Sequence, residues 1–543
     1  MPRLLLILAL VMAWASALHA VEASAAALLP DLAAEERPAR LAALQALGQA
    51  RDPRVAAFLS DYRQGSAFRW TPAGKPALIV LVPVLRDGAG IPLDALSRDV
   101  LSTAVPQAEL IALEVSGPER KAATTAITFL QLTDPDPAVR LSAVTKAGDA
   151  GGATNRTALA AIAVSETDSR VIRSLAEGIA LIDLADGDEA ARIAAATKLG
   201  ELGSLRARDR LAPLAANTAG KTSPALVAAS ATALGHIESH QTTVRAVQTV
   251  FSGISAGSIL VLMALGLSIT FGLMGVINMA HGEMLMLGAY GTLLVQWGFE
   301  RFMPAAWLPW YLIVGVGAGF VVAAAAGWLL EMLVIRHLYG RPLDSLLATW
   351  GISYLLIQTV RATFGDNQAV TAPPWLVGGW EPLNDLVLPY NRLFIIVLTG
   401  VAVLSVVVLF RCTRIGLLLR ATVQSRRTAA SLGVDTRRID GITFAFGSGL
   451  AGAAGAALTL IGGLKPDMGQ EFIIDSFLVV ATGGVGNLAG VCCSGFGLGL
   501  LNKLLEPMTQ AVFAKVLMLL GVIIFLQWRS QGLFPPKGRL ADV

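Results

Sequence analysis

Hydrophobic and polar positions divide the chain near Val250. From about Ala27 to Arg245, alanine- and leucine-rich stretches are broken by charges, the mixed text of water-soluble helices. Beyond Val250 the text turns apolar, in runs that approach or reach the roughly 20 residues a bilayer-spanning helix needs. The runs are Phe251–Leu273, Met279–Trp297, Trp310–Ile335, Leu346–Phe364, Phe394–Phe410, Gly441–Gly463, Phe477–Val491 and Val512–Trp528, with a further short piece at Cys492–Leu505. The expected fold class is an α-helical membrane protein of about eight transmembrane helices. Seven is the count if 477–505 dips in and returns, and nine if both of its pieces cross. Pieces so short favour the re-entrant form, which is tolerated where protein or a water cavity satisfies the backbone.

The first half carries three similar segments, Asp52-Pro-Arg-Val-Ala, Asp136-Pro-Ala-Val-Arg and Asp168-Ser-Arg-Val-Ile. In each, an Asp suited to capping a helix precedes a Pro or Ser suited to its first turn, and Val opens the buried face. Ala190–Gly200 and Ser223–Gly235 repeat the alanine-rich helix without the full cap. The pattern resembles HEAT-type helical repeats, in which stacked helices bury one another's faces. Between 68 and 115 the text changes, and Leu78–Val82 and Leu110–Val115 read as strands with Asp87-Gly88 as a turn between them. A small β insertion in a helical domain spanning 27–245 is expected.

Orientation follows from the basic residues. Arg411, Arg414, Arg420, Arg426, Arg427, Arg437 and Arg438 crowd one connection, Arg336 and Arg341 mark another, and Arg529, Lys537 and Arg539 mark the tail. All are expected on the cytoplasmic side. Gly365–Arg392, with Trp375 and Trp380, is then external, and the first span enters from outside. That agrees with an exported first domain. Residues 1–20 have the layout of a secretory signal peptide, with Arg3, an apolar run Leu4–Trp14, and a small-residue cleavage pattern at Ala15-Ser16-Ala17, a cut after Ala20 being the other option; an uncleaved anchor is the alternative.

Composition narrows the function classes. Hydrophobic residues make up 54% and charged residues 15%, a deficit that makes lipid part of the solvent. A net charge of +3 with no basic tract gives no footprint for nucleic acid. The three cysteines, Cys412, Cys492 and Cys493, show no metal spacing and read as small buried residues. Ala215–Thr222 fits a loose phosphate-loop pattern, but its first position is Ala, no apolar strand precedes it, and Ser223-Pro224 follows where a helix should continue.

Two features of the apolar half carry candidate chemistry. Fifteen glycines lie from Gly441 to Gly499, a density that allows close helix packing or broken helices. Gly483, Gly484, Gly486 and Gly490 stand out as structural positions. The run Gly275–Tyr290 places Asn278, His281 and Glu283 in or beside an apolar stretch, where ionisable groups normally face a partner or a cavity. Two readings stay open: these groups line a solute path, or Glu283 caps a helix at the membrane surface and His281 donates to a backbone carbonyl.

That same run resembles the Gly-x-Ile-Asn-x-Ala-His-Gly motif, ending in Gly-Ala-Tyr, of the branched-chain amino acid and urea/amide family of ABC importer permeases. The resemblance extends from about Thr249 to Phe534 and includes Arg414–Ala421, Ala429–Gly433 and Gly483–Gly490. It implies a permease domain at 249–534 in a bacterial inner membrane, a cytoplasmic tail at 535–543, and no catalytic residue, metal or cofactor on this chain. ATP is used by two cytoplasmic ATPase subunits. A second homologous permease subunit and a periplasmic solute-binding protein complete the implied assembly. Ala421–Gly433 is then expected to form one short coupling helix that docks on an ATPase subunit, with Arg420, Ala421, Arg426, Arg427, Ala429, Ala430 and Gly433 as its functional positions.

The long exported extension, Leu346–Ser353, Phe364–Asn367 and Gly483–Gly490 look more like the urea branch of that family. Urea or a short-chain amide is therefore the expected solute, with a branched-chain amino acid as the alternative. A neutral amide needs donors and acceptors without a charge clamp, and Asn278, Thr349, Ser353, Gln358 and Thr359 supply them beside His281 and Glu283. Outside transport by this mechanism stand a membrane-anchored repeat scaffold and a passive amide channel.

Overall fold

The computed structural model describes residues 25–534, apart from 51, 73–75, 84, 87–88, 114, 218–219, 221 and 384. The signal peptide expected at 1–20 and the tail at 535–543 lie outside the described residues. The chain divides into two compact units, Met1–Gln241 and Thr242–Val543.

In the first unit one helical arrangement recurs three times. Its helices are α1 (Arg37–Gly48), α2 (Pro53–Arg63), α3 (Gly117–Gln131), α4 (Pro137–Ala150), α5 (Ala153–Ala163), α6 (Ser169–Asp186), α7 (Glu189–Leu202), α8 (Arg208–Ala215) and the start of α9 (Pro224–Met274). The opening helix of each round carries Arg at its fourth position: Arg40, Arg140 and Arg192. Arg40 and Arg140 each donate to two backbone carbonyls of the preceding turn, at 2.8 and 3.0 Å, and Arg192 donates to Leu184 O at 3.1 Å. At Gly48, Gly148 and Gly200, eight residues after each Arg, an added Cβ would lie 2.9, 2.7 and 2.8 Å from the Cα of Ala126, Gly178 and Ala233. The first and third helices of each round thus meet backbone to backbone. Asp52, Asp136 and Asp168 cap α2, α4 and α6, each accepting a backbone N–H at 2.9 Å. The stretches read as incompletely capped do have caps: Asp188 accepts from Ala191 N at 2.8 Å, and Ser223 Oγ accepts from Leu226 N at 3.3 Å.

The β insertion lies within the first round. It contains β1 (Ala67–Trp70), β2 (Leu78–Leu81), β3 (Leu85–Arg86), β4 (Ala89–Gly90), β5 (Leu93–Asp94), β6 (Val105–Pro106) and β7 (Leu110–Ala112). The two strands expected from sequence are not hairpin partners. The order is β5-β2-β1-β7, with β1 between them and antiparallel to both. The reason is burial: Phe68 and Trp70 of β1 share an apolar cluster with Val80 and Leu110. The turn expected at Asp87-Gly88 lies outside the described residues.

The second unit continues α9 and adds α10 (His281–Phe302), α11 (Tyr311–Leu333), α12 (Pro342–Phe364), the hairpin β8 (Gly379–Leu383) and β9 (Leu386–Pro389), α13 (Tyr390–Cys412), α14 (Arg414–Gln424), α15 (Arg426–Ser431), α16 (Thr436–Leu458), α17 (Met468–Gly483), α18 (Leu488–Thr509) and α19 (Ala511–Trp528). Among the described residues, six segments are long and apolar enough to cross a membrane: Pro224–Gly272, Ala305–His337, Tyr390–Cys412, Thr436–Leu458, Leu488–Thr509 and Ala511–Trp528. α10, α12 and α17 fall outside that set. α17 has 16 residues, and α10 is enclosed by protein over most of its length, where lipid-matched apolarity is not required.

The centre of this unit is a crossing of α10, α11 and α16. A Cβ on Gly288 would lie 2.1 Å from Gly452 O, one on Gly452 2.4 Å from Gly319 O, and one on Gly319 2.7 Å from Gly288 O. Three helix backbones therefore touch directly, the geometry small residues permit inside membranes.

Two expectations for this half are corrected. The pieces at Phe477–Val491 and Cys492–Leu505 are one residue set divided elsewhere: the break falls at 484–487, between α17 and α18. Gly484 and Gly486 take φ of +100° and +81°, and Asn487 caps α18 by accepting from Gly490 N at 3.1 Å. The last described residues return to this break, with Leu533 N donating to Thr482 O at 2.8 Å and Phe534 N to Gly483 O at 3.3 Å. Cys412 and Cys493 are exposed rather than buried, on outer sides of α13 and α18 where an apolar thiol needs no polar partner.

Candidate functional site

Between α9 and α10 the helix is interrupted at Gly275–Ala280, and every local device there satisfies freed backbone. Gly275 has φ +71°. Asn278 Oδ1 accepts from Ala280 N at 3.0 Å, and Thr349 Oγ1, reaching over from α12, accepts from Met279 N at 3.1 Å. Thr349 in turn donates to Ser345 O at 2.8 Å. Asn278 and Thr349 are fully buried.

The groups left over from this bracing are polar and aimed inward. Glu283, 1% exposed, occupies the third position of α10, where the positive end of the helix favours an anion. Neither of its carboxylate oxygens has a hydrogen-bond partner among the described residues, nor does Asn278 Nδ2. Ser353, one turn beyond Thr349 on the same face of α12, is the side chain beside Glu283. An orphaned acceptor set of this kind costs about 1–3 kcal/mol or more when nothing fills it. The arrangement presents unpaired acceptors on Glu283 and an unpaired donor on Asn278, groups whose complement is an N–H donor and a carbonyl.

His281 faces the other way. Its Nε2 lies 3.1 Å from Met263 O, and because a carbonyl only accepts, that nitrogen carries the proton. The ring rests against Gly266, where a Cβ would be 3.0 Å from His281 Cε1. Gln358 is partly exposed further along α12. Thr359 is exposed and spends its hydroxyl on Leu355 O at 2.8 Å. The structure therefore brings Asn278, Glu283, Thr349 and Ser353 together and leaves His281, Gln358 and Thr359 apart. The reading in which His281 donates to a backbone carbonyl matches this geometry, with Met263 O as the acceptor, whose identity no side-chain motif can announce. Sequence reading missed Tyr290 and Ser268, buried hydroxyls without partners among the described residues, whose signal is polarity inside an apolar run. No cluster of three His, Cys, Asp or Glu able to hold a metal occurs among the described residues.

The expected single helix at Ala421–Gly433 is two. α14 ends at Gln424, Ser425 is extended at φ −158°, and its hydroxyl accepts from Thr428 N at 3.4 Å to start α15. Gly433, with φ +86°, closes the segment. A Ser with its side chain bound to the backbone two or three residues on competes with continuing the helix. Arg420, Ala421, Arg427, Ala430 and Leu432 are exposed, while Ala429 is buried. Arg426 turns back onto Asp440. Gly483 and Gly490 pack against one another across α17 and α18.

The polar break before α10, the small-residue crossing and the exposed arginine segment all fall within residues 249–527, which match the family described as branched-chain amino acid transport system / permease component. The chain belongs to that family. This permease is similar to the high-affinity branched-chain amino acid transport system permease protein LivH of Escherichia coli, 28% identical over 51% of this chain and 92% of that protein. It is also similar to the corresponding permease protein BraD of Pseudomonas aeruginosa, 27% identical over 53% of this chain and 94% of that one. Permease protein LivM of Escherichia coli is 27% identical over 51% of this chain and 68% of its own length. No solved structure matches the permease.

Proposed function

We propose that this permease is one membrane subunit of an ATP-driven importer for branched-chain amino acids, working with a second homologous permease subunit, two cytoplasmic ATPase subunits and an exported solute-binding protein. The family match over 249–527 carries this reading, and the relatives named for that solute favour it over the urea expected from sequence. In this reading the α14–α15 segment faces the cytoplasm and docks on an ATPase subunit. The first unit is an exported HEAT-like domain, supported by its three recurring helical rounds, and it receives the solute-binding protein.

One observation favours a second solute class, urea or a short-chain amide. The polar cluster at Asn278, Glu283, Thr349 and Ser353 holds a carboxylate and neutral groups but no cation. It matches N–H donors and a carbonyl, and it leaves the carboxylate of an amino acid without a charged partner. Residues 1–248, outside the family match, are the other feature that sets the chain apart.

Uptake of labelled leucine and of labelled urea, in cells with and without the chain, separates the two. Loss of leucine uptake on deletion, competed by isoleucine and valine, supports the first reading. Loss of urea uptake, competed by acetamide and not leucine, moves the permease to the amide branch. Flux that survives ATP depletion would instead mark a passive channel, and unchanged uptake of both would leave a scaffold.

A further inference from the structure

We infer that Arg426 is a positioning residue that ties the exposed α14–α15 segment to the three-helix crossing, acting through Asp440 and Tyr339. The inference rests on reading that segment as the ATPase dock. α15 presents almost all of itself to the outside: Arg427, Thr428, Ala430, Ser431 and Leu432 are exposed, Leu432 at 79%. Ala429 is buried, and Arg426, itself 46% exposed, lays its guanidinium back onto Asp440 and Tyr339. Arg426 Nη2 donates to the carboxylate of Asp440, and its Cζ lies 4.7 Å from the centre of the Tyr339 ring. A guanidinium held both by a carboxylate and over an aromatic face has its direction fixed, not only its charge neutralised.

Asp440 is 3% exposed in the first turns of α16 and continues the connection into the core. At the next residue, Gly441, a Cβ would lie 3.3 Å from Glu331 Oε2 of α11. Glu331 is fully buried and pairs with Arg336 at 3.1 Å. Two acids and two arginines thus join α15, α16 and α11 at one end of the unit, with no net charge. From Asp440, α16 runs without a break to Gly452 at the crossing, about 18 Å at 1.5 Å per residue. A push or pull on α15 reaches α16 through the ion pair to Asp440 and reaches the connection after α11 through the Tyr339 ring, and continuous α16 carries it to the contacts with Gly288 and Gly319. Among the described residues, Arg414, Arg420 and Arg427, equally basic, make no ion pair to another helix, Arg420 donating only to Gly416 O of its own helix.

The test uses the assembled importer in proteoliposomes, measuring ATP hydrolysis and uptake of labelled leucine or urea, whichever the wild type carries. Asp440→Asn and Arg426→Gln should still co-purify with the ATPase subunits while uptake per ATP hydrolysed falls about tenfold. Arg426→Lys, which keeps the charge, should recover part of that ratio. Tyr339→Phe should leave it near wild type and Tyr339→Ala should lower it, which keeps the question answerable if Asp440→Asn fails to fold. An unchanged uptake-to-ATP ratio in Arg426→Gln overturns the tie. A wild-type chain that neither co-purifies with an ATPase nor stimulates one overturns the docking reading itself, whatever the variants do.

Discussion

Replacing Gly288 by Ala inserts one methyl group where two other helices already touch. The added Cβ would sit 2.1 Å from Gly452 O and 2.3 Å from Gly452 Cα. Close carbon–oxygen contacts settle at about 3.3 Å or more, so α10 and α16 must separate by about 1 Å. Both obstructing atoms are backbone, and no side chain can swing aside. Overpacking of this kind costs about 1–3 kcal/mol or more, and separation also loosens the Gly319 contact that shares the crossing. About 3 kcal/mol is the expected loss, at the upper end because three helices are involved. Gly521→Ala is the control, since nothing lies within 4 Å of a Cβ there and helix propensity favours Ala by about 1 kcal/mol. In detergent, with fluorescence-detected size exclusion after heating, Gly288→Ala should lose about 6–12 °C, at about 2–4 °C per kcal/mol. Gly521→Ala should match or exceed wild type. If Gly288→Ala melts within a degree of Gly521→Ala, the three-backbone contact is not what holds this unit together.

Other outcomes follow from the same structure. Glu283→Gln keeps the shape but puts a donor where only acceptors stood; membrane level should hold while uptake drops about 10- to 100-fold, the range of a lost charged hydrogen bond. Normal uptake by that variant would remove Glu283 from the solute path. Asp188→Ala should lower the melting stability of the first unit by about 1 kcal/mol, the usual cost of an N-cap, while leaving a Glu189→Ala comparison nearly silent. The hydrogen bond from Arg140 holds Glu166 down at about 2, below its usual 4.5. A depressed carboxylate stabilises above its unfolded value, so wild type should exceed Arg140→Ala by about 1–2 kcal/mol near pH 7 after allowing for solvent screening. That gap should close as pH falls from about 4.5 towards 2, and a gap that widens on acidification would refute the sign.

The apolar runs made most membrane helices legible, because lipid-facing and core-facing positions of one helix are both apolar. The break at 484–487 was misplaced for the same reason: hydropathy runs straight through Gly484-Val-Gly486, and only backbone conformation marks the turn. In the first unit the aspartate caps were legible individually but not in phase. Asp52 caps the second helix of its round, Asp136 the first and Asp168 the third, so aligning them hid the repeat. The true register is Arg followed eight residues later by Gly, at Arg40, Arg140 and Arg192, interrupted once by the β insertion. β1 was invisible because Ala-Phe-Arg-Trp is four residues of ordinary text until its partners bury it. At the candidate site, Asn278, Glu283, Thr349 and Ser353 were legible as polar residues in apolar surroundings. That His281 would donate to a backbone carbonyl was one of the two readings the sequence left open, but that the acceptor is Met263 O, 18 residues away on α9, has no sign in the sequence.

The return of Leu533 and Phe534 to the end of α17 has a consequence for biogenesis. The carbonyls of Thr482 and Gly483 emerge from the ribosome before Leu533 and Phe534, whose backbone N–H groups satisfy them. Until then those two carbonyls lack the N–H donors that close the turn. The turn between α17 and α18 can therefore complete these bonds only after Leu533 and Phe534 have been made. A chain ending just short of Leu533 would possess every helix and still lack the closing step of its assembly.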